Sequence, residues 1–130
     1  MTNEEQSERV DKVLAQHGKI SYLEIPALYA LDSGDFYESV FGWAVERRAP
    51  DNVSFFDGSG QLLGRFIPDR APASTPGFLP YIYVSDVQAT VVQIEACGGV
   101  VVSVPYEEGN LTVATFRDPA GNVLGVWQET

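Results

Sequence analysis

Side-chain alternation along residues 20–27 puts Tyr22, Glu24 and Pro26 on one face of a predicted strand, a carboxylate set among apolar and aromatic neighbours. Facing a cavity, such a carboxylate would be desolvated, which is how a general base or acid is made. The equivalent face of a second segment presents Leu79, Tyr81 and Tyr83, and two later segments present Leu62, Gly64 and Phe66, and Val123, Gly125 and Trp127. Around one cavity these faces would form an aromatic wall with a few hydroxyls and one carboxylate, suited to a small, partly hydrophobic organic ligand. Tyr22, Tyr81 or Tyr83 could also donate to a developing oxyanion while Glu24 takes a proton. Other readings stay open. The aromatics equally suit a filled core between sheets, and Glu24 equally suits an ion pair with Arg65 or another cation, or a solvent-facing sheet edge. Gly64 and Gly125 either let a ligand approach the backbone or bend curved strands.

Other reactive residue types carry less. His17 is the sole histidine and closes a predicted N-terminal helix, so it cannot build a His-rich metal site and is assigned no role. Cys97, the sole cysteine, falls on the apolar stripe Val87, Val91, Ile94, Cys97 and is expected to be a buried, inert thiol. Asp57 and Asp118 each begin a Gly-containing turn, where Asp is favoured for its backbone hydrogen bond. The chain has no Gly-rich phosphate loop, Ser-His-Asp set or C-x-x-C.

Composition narrows the partners. The 130 residues carry 18 acidic against 8 basic side chains, a net charge of −10, which repels nucleic-acid phosphates and anionic lipid surfaces. One cysteine excludes an internal disulfide, the start resembles no signal peptide, and no apolar run approaches the roughly 20 residues of a membrane span. The expectation is a cytoplasmic protein with neither nucleic acid nor membrane as partner.

The elements that must position these residues come in two copies. Phe55-Phe56-Asp57-Gly58-Ser59-Gly60-Gln61-Leu62-Leu63-Gly64 matches Phe116-Arg117-Asp118-Pro119-Ala120-Gly121-Asn122-Val123-Leu124-Gly125 at five of ten positions without a gap. In copy one, a strand over 20–27 precedes a helix capped by Asp32 and stopped by Gly42, then strands over 44–48, 52–56 and 61–67. The Pro-rich segment 68–77 is a linker. In copy two, a strand over 79–84 precedes a helix capped by Asp86 and ended by Gly98-Gly99, then strands over 100–103, 112–117 and 122–128. The order is βαβββ twice, an α+β arrangement. Residues 1–18 read as an appended helix with a Thr2-x-x-Glu5 capping box, which gives an extension 1–18 and one domain 19–130, with module one 19–68 and module two 78–129.

Phe36-Tyr37-Glu38-Ser39-Val40-Phe41-Gly42-Trp43, with Asp86-Val87-x-Ala89-Thr90, Gly98-Gly99 and Asp118-Pro119-x-Gly121-Asn122, resembles the signatures of the vicinal oxygen chelate superfamily of glyoxalase I, bleomycin-resistance proteins and extradiol dioxygenases. The resemblance covers about residues 19–129. It implies two βαβββ modules curled into an eight-stranded cup, often as a homodimer. In metal-dependent members, the first and last strands of each module supply the ligands. On that pattern the ligand positions fall on Tyr22, Leu79, Gly64 and Gly125, which offer no donor set for a divalent ion. No metal or other cofactor is therefore expected.

The leading expectation is a glyoxalase-like, metal-independent protein that binds a small organic molecule through Tyr22, Glu24, Gly64, Phe66, Tyr81, Tyr83, Gly125 and Trp127. The alternatives are a lyase or isomerase with Glu24 as general base, and a non-catalytic dimerisation module.

Overall fold

The computed structural model describes residues 12–73 and 75–130. The elements are β1 (Tyr22–Pro26), α1 (Ala30–Phe41), β2 (Ala44–Ala49), β3 (Asn52–Phe56), β4 (Leu63–Ile67), β5 (Tyr81–Tyr83), α2 (Val87–Ala96), β6 (Val100–Glu108), β7 (Leu111–Arg117) and β8 (Val123–Glu129). They form two four-stranded mixed sheets, ordered β1-β4-β3-β2 and β5-β8-β7-β6. The first and last strand of each module pair in parallel and the rest antiparallel, the βαβββ order predicted from the repeat. The two sheets are not closed into one ladder. Most of the predicted N-terminal helix lies outside the described residues, and 12–14 are helical.

Local chemistry explains the helix ends. Asp86 caps α2 by accepting from the Ala89 N–H at 3.0 Å. Asp32 does not cap α1. That helix starts at Ala30 behind Tyr29, which makes no side-chain cap, and Asp32 lies in the first turn, where its charge favours the dipole. Gly42, at φ 70°, ends α1 in the left-handed region as predicted, and its N–H bonds back to the Glu38 carbonyl.

The helices cover one face of each sheet, and a single core runs beneath both. Tyr37 of α1 stacks on Trp43 at 4.5 Å, and Trp43 stacks on Phe55 at 4.7 Å. Phe36 meets Phe116 of the other module at 6.0 Å, so the modules share this core. Cys97, expected to be buried, is exposed. It is the C-cap of α2, one turn beyond the last buried residue, Ile94, where the apolar stripe has run out of sheet to cover it.

The two copies differ in register. Phe116 pairs with Leu124, but Phe55 pairs with Gly64 rather than with Leu63. The hairpin of module one holds one more residue: the Asp57 N–H reaches the Leu62 carbonyl, whereas the Asp118 N–H reaches that of Asn122. A one-residue slip turns every side chain of the following strand to the opposite face.

Candidate functional site

The sheet faces turned away from the helices carry the residues with chemistry to offer. In module two, Tyr81 lies opposite Gly125 and Tyr83 opposite Trp127, all on the helix-free face as the alternation predicts. Tyr81 and Tyr83 are 46% and 59% exposed, so this aromatic face is open rather than filled. The Tyr83 and Trp127 rings meet edge to face at 4.9 Å. The Tyr81 ring lies across bare Gly125, where a Cβ would come within 2.2 Å of it. Burial raises the Tyr81 phenol, and the neighbouring Tyr106 and Glu108 raise it further, so Tyr81 is a neutral hydrogen-bond donor.

Tyr106 was not legible as a site residue, because strand six was expected to end at Ser103. The strand continues through Pro105 to Glu108 with two register shifts. Its edge position tolerates the proline. The run Val100, Val102, Val104, Tyr106 was the signal that could have revealed it.

Module one corrects the expected site. Tyr22 and Glu24 do lie on the helix-free face, paired with Leu63 and Arg65. Gly64 and Phe66 do not. The register slip turns both toward the helix, where Phe66 is fully buried at 5.0 Å from Phe55 and 5.7 Å from Tyr37. A Cβ on Gly64 would fall 2.0 Å from Phe55 Cζ and 2.6 Å from the Leu23 carbonyl oxygen, so the bare backbone serves core packing. Glu24 pairs with Arg70 of the linker at 2.9 Å, and its side chain is 36% exposed. This is the ion pair with another cation that the sequence left open for Glu24.

The positions to which the family pattern assigns ligands, Tyr22, Leu79, Gly64 and Gly125, hold one phenol, one hydrocarbon and two glycines, and Arg65, which the slip turns outward in place of Gly64, adds only a guanidinium. That set does not fit a divalent cation, which needs three or four donors. Among the described residues, no three His, Cys, Asp or Glu side chains come together. Beside this face, a pocket of about 270 Å3 opens between Glu24 of β1, Phe78 ahead of β5 and Asn122 just before β8.

Asn122 joins the modules: its side-chain amide donates to the Pro26 carbonyl at 2.6 Å and to Asp118 Oδ2 at 2.9 Å. The Tyr37 hydroxyl donates to the same Oδ2 at 2.8 Å, inside the core. Asp118 Oδ1 accepts from the Ala120 and Asn122 N–H groups, as its turn position predicts. Burial raises the Asp118 carboxyl above its ordinary value, and these four donors oppose the shift. Tyr37 is raised well above an ordinary phenol by its burial and then by the charge of Asp118.

Known proteins share this architecture. A glyoxylase-like domain-containing protein of Didymella fabae is 33% identical over 92 residues, covering 64% of this chain and 70% of its own length. The crystal structure of a glyoxalase/bleomycin resistance protein/dioxygenase family enzyme from Burkholderia phytofirmans superposes with a TM-score of 0.72 at 22% identity, over 87% of this chain and all of the other. TnmS3, an antibiotic binding protein from a Streptomyces species, superposes with a TM-score of 0.66 at 22% identity, over 87% of this chain and 97% of its own. The family model for the glyoxalase-like domain matches residues 28–127, and with the paired βαβββ modules this establishes that the chain belongs to that family, within the vicinal oxygen chelate superfamily.

Proposed function

We propose that this protein binds a small, partly aromatic organic molecule on the helix-free face of module two, and that it does so without a metal ion. The open aromatic face carries the reading: Tyr83 and Trp127 offer ring surfaces, and Tyr81 offers a phenolic donor above Gly125. Leaving 46–59% of two tyrosines in water has no packing benefit, whereas a planar ligand would cover them. An antibiotic binding protein of the same fold supports this class of ligand. The donor-poor ligand positions Tyr22, Leu79, Gly64 and Gly125 support metal independence.

Fluorescence titration with a panel of polycyclic aromatic antibiotics tests the reading. Quenching that saturates, and that Trp127→Leu removes while Trp43 emission persists, is the expected result. No saturable binding across the panel, or equal binding by Trp127→Leu, would overturn it. Stoichiometric Ni, Zn, Mn or Fe in the purified protein, with a metal-specific rise in Tm, would overturn metal independence. The homodimer implied by the family would cover Val100, Val102 and Val104, which are 53–72% exposed on β6, and light scattering gives the mass directly.

A further inference from the structure

A larger cleft of about 690 Å3 lies along the edge strand β5, between the hairpin of module one and α2. Asp57, Gly58 and Ser59 of the hairpin, Ala89, Thr90 and Gln93 of α2, and the aromatics Phe41 and Trp43 line it. Pro80–Asp86 also line it, so Tyr81 and Tyr83 border both this cleft and the helix-free face. Its volume is within the range of small-molecule sites.

The repeat shows what this cleft is missing. In the other half, the hairpin of module two closes on α1 through Asp118 Oδ2, which receives the Tyr37 hydroxyl and the Asn122 amide. Gly42 lies as far from the cap residue Tyr29 as Gly99 lies from the cap residue Asp86, so Ile94 corresponds to Tyr37 and Gln93 to Phe36. By hairpin register, Leu62 corresponds to Asn122. Both donors that saturate Asp118 Oδ2 are thus replaced by hydrocarbon. Among the described residues, the hydrogen bonds to Asp57, from the Ser59 hydroxyl at 2.7 Å and the Leu62 N–H at 3.3 Å, both fall on Oδ1.

We propose that this cleft is a second binding site, adjoining the first at Tyr81 and Tyr83, for an aromatic molecule bearing a protonated amine. The buried Ile94 fills the place of Tyr37, so the ring lies in the cleft itself, beside Phe41 and the edge of Trp43, whose faces Tyr37 and Phe55 cover, and the ammonium donates to Asp57 Oδ2. Asp86 on the rim and the net charge of −10 favour a cation over a neutral phenol.

The test is amide and indole NMR of the full-length 15N-labelled protein titrated with tryptamine, with indole-3-propionate as the anionic counterpart. Tryptamine is expected to shift the Ser59, Thr90 and Gln93 amides and the Trp43 indole, and indole-3-propionate to leave them in place. Asp57→Asn keeps an oxygen for the turn and weakens tryptamine about tenfold, the scale of one hydrogen bond to a charged group. Gln93→Trp, at an exposed position, fills the cleft and abolishes the shifts. No shift at these four groups, equal response to the two probes, or undiminished binding by both variants would overturn the inference. Shifts confined to Gly125 and Trp127 would overturn it too, while leaving the helix-free site standing.

Discussion

Replacing Tyr37 by Phe removes one oxygen and nothing else. The ring keeps its stacking on Trp43 at 4.5 Å and on Phe66 at 5.7 Å, so the change reports the bond to Asp118 alone. Asp118 is 3% exposed, so no water readily replaces the lost donor. Losing a hydrogen bond to a buried charged group costs about 1.5–3 kcal/mol. Asp118 Oδ2 retains the Asn122 amide and Oδ1 retains two N–H donors, which places the cost near the lower bound. For a chain of this length that lowers Tm by about 6 °C. The effect should also depend on pH. Burial raises the folded-state pKa of Asp118 above its unfolded value of 3.8, so its protonated form favours folding below that value, and this contribution is lost as pH rises through the folded pKa. The hydroxyl stabilises the charged form, and its removal is felt most where Asp118 is ionised. The Tm difference between wild type and Tyr37→Phe should therefore be largest at pH 7 and shrink on acidification toward pH 4. Calorimetry across that range is the assay. A difference below about 1 °C at pH 7, or one that does not change with pH, would refute the reasoning.

Gly64→Ala drives a methyl into Phe55 and the Leu23 carbonyl inside the core and should cost about 3 kcal/mol in urea unfolding. Gly125→Ala meets only the half-exposed Tyr81 ring, which can swing aside, so it should cost less than half as much while disturbing ligand binding. Glu24→Gln breaks an exposed ion pair with Arg70 and should change stability by less than about 0.5 kcal/mol, measured in the same urea series. Cys97 should react completely with a thiol reagent in the native protein, as its exposure at the end of α2 dictates, with one equivalent of thiolate released in the colour assay.

The order of elements was legible because turn and cap chemistry is local. Gly42, Asp86 and the two Asp-initiated hairpins each announce themselves through residues that few other conformations favour. Faces were legible only where register followed from alternation within one strand, as for Tyr81, Tyr83 and Trp127. Gly64 and Phe66 were misplaced because the gap-free repeat implies equal hairpins, and nothing in Asp-Gly-Ser-Gly-Gln-Leu states which carbonyl will close the turn. The Glu24 partner was hidden for a different reason. Arg70 lies in a Pro-rich linker, and the path of such a segment is set by tertiary packing rather than by its own periodicity. The Tyr37–Asp118 bond joins residues far apart in the chain, each of which has an adequate local explanation without the other.

The extra residue in the first hairpin also decides where this domain can acquire new chemistry. A donor introduced at position 64, where the repeat would place it, points into Phe55, and selection or design at that site meets the core before it meets a ligand. Position 65 is the one that shares a surface with Glu24, so substitution of Arg65 by a carboxylate or imidazole adds a donor beside an existing one. Shortening the hairpin by one residue would do the reverse, burying position 65 and turning Phe66 outward. Loop length, rather than the identity of any strand residue, thus sets which half of this strand's side chains is open to functional change.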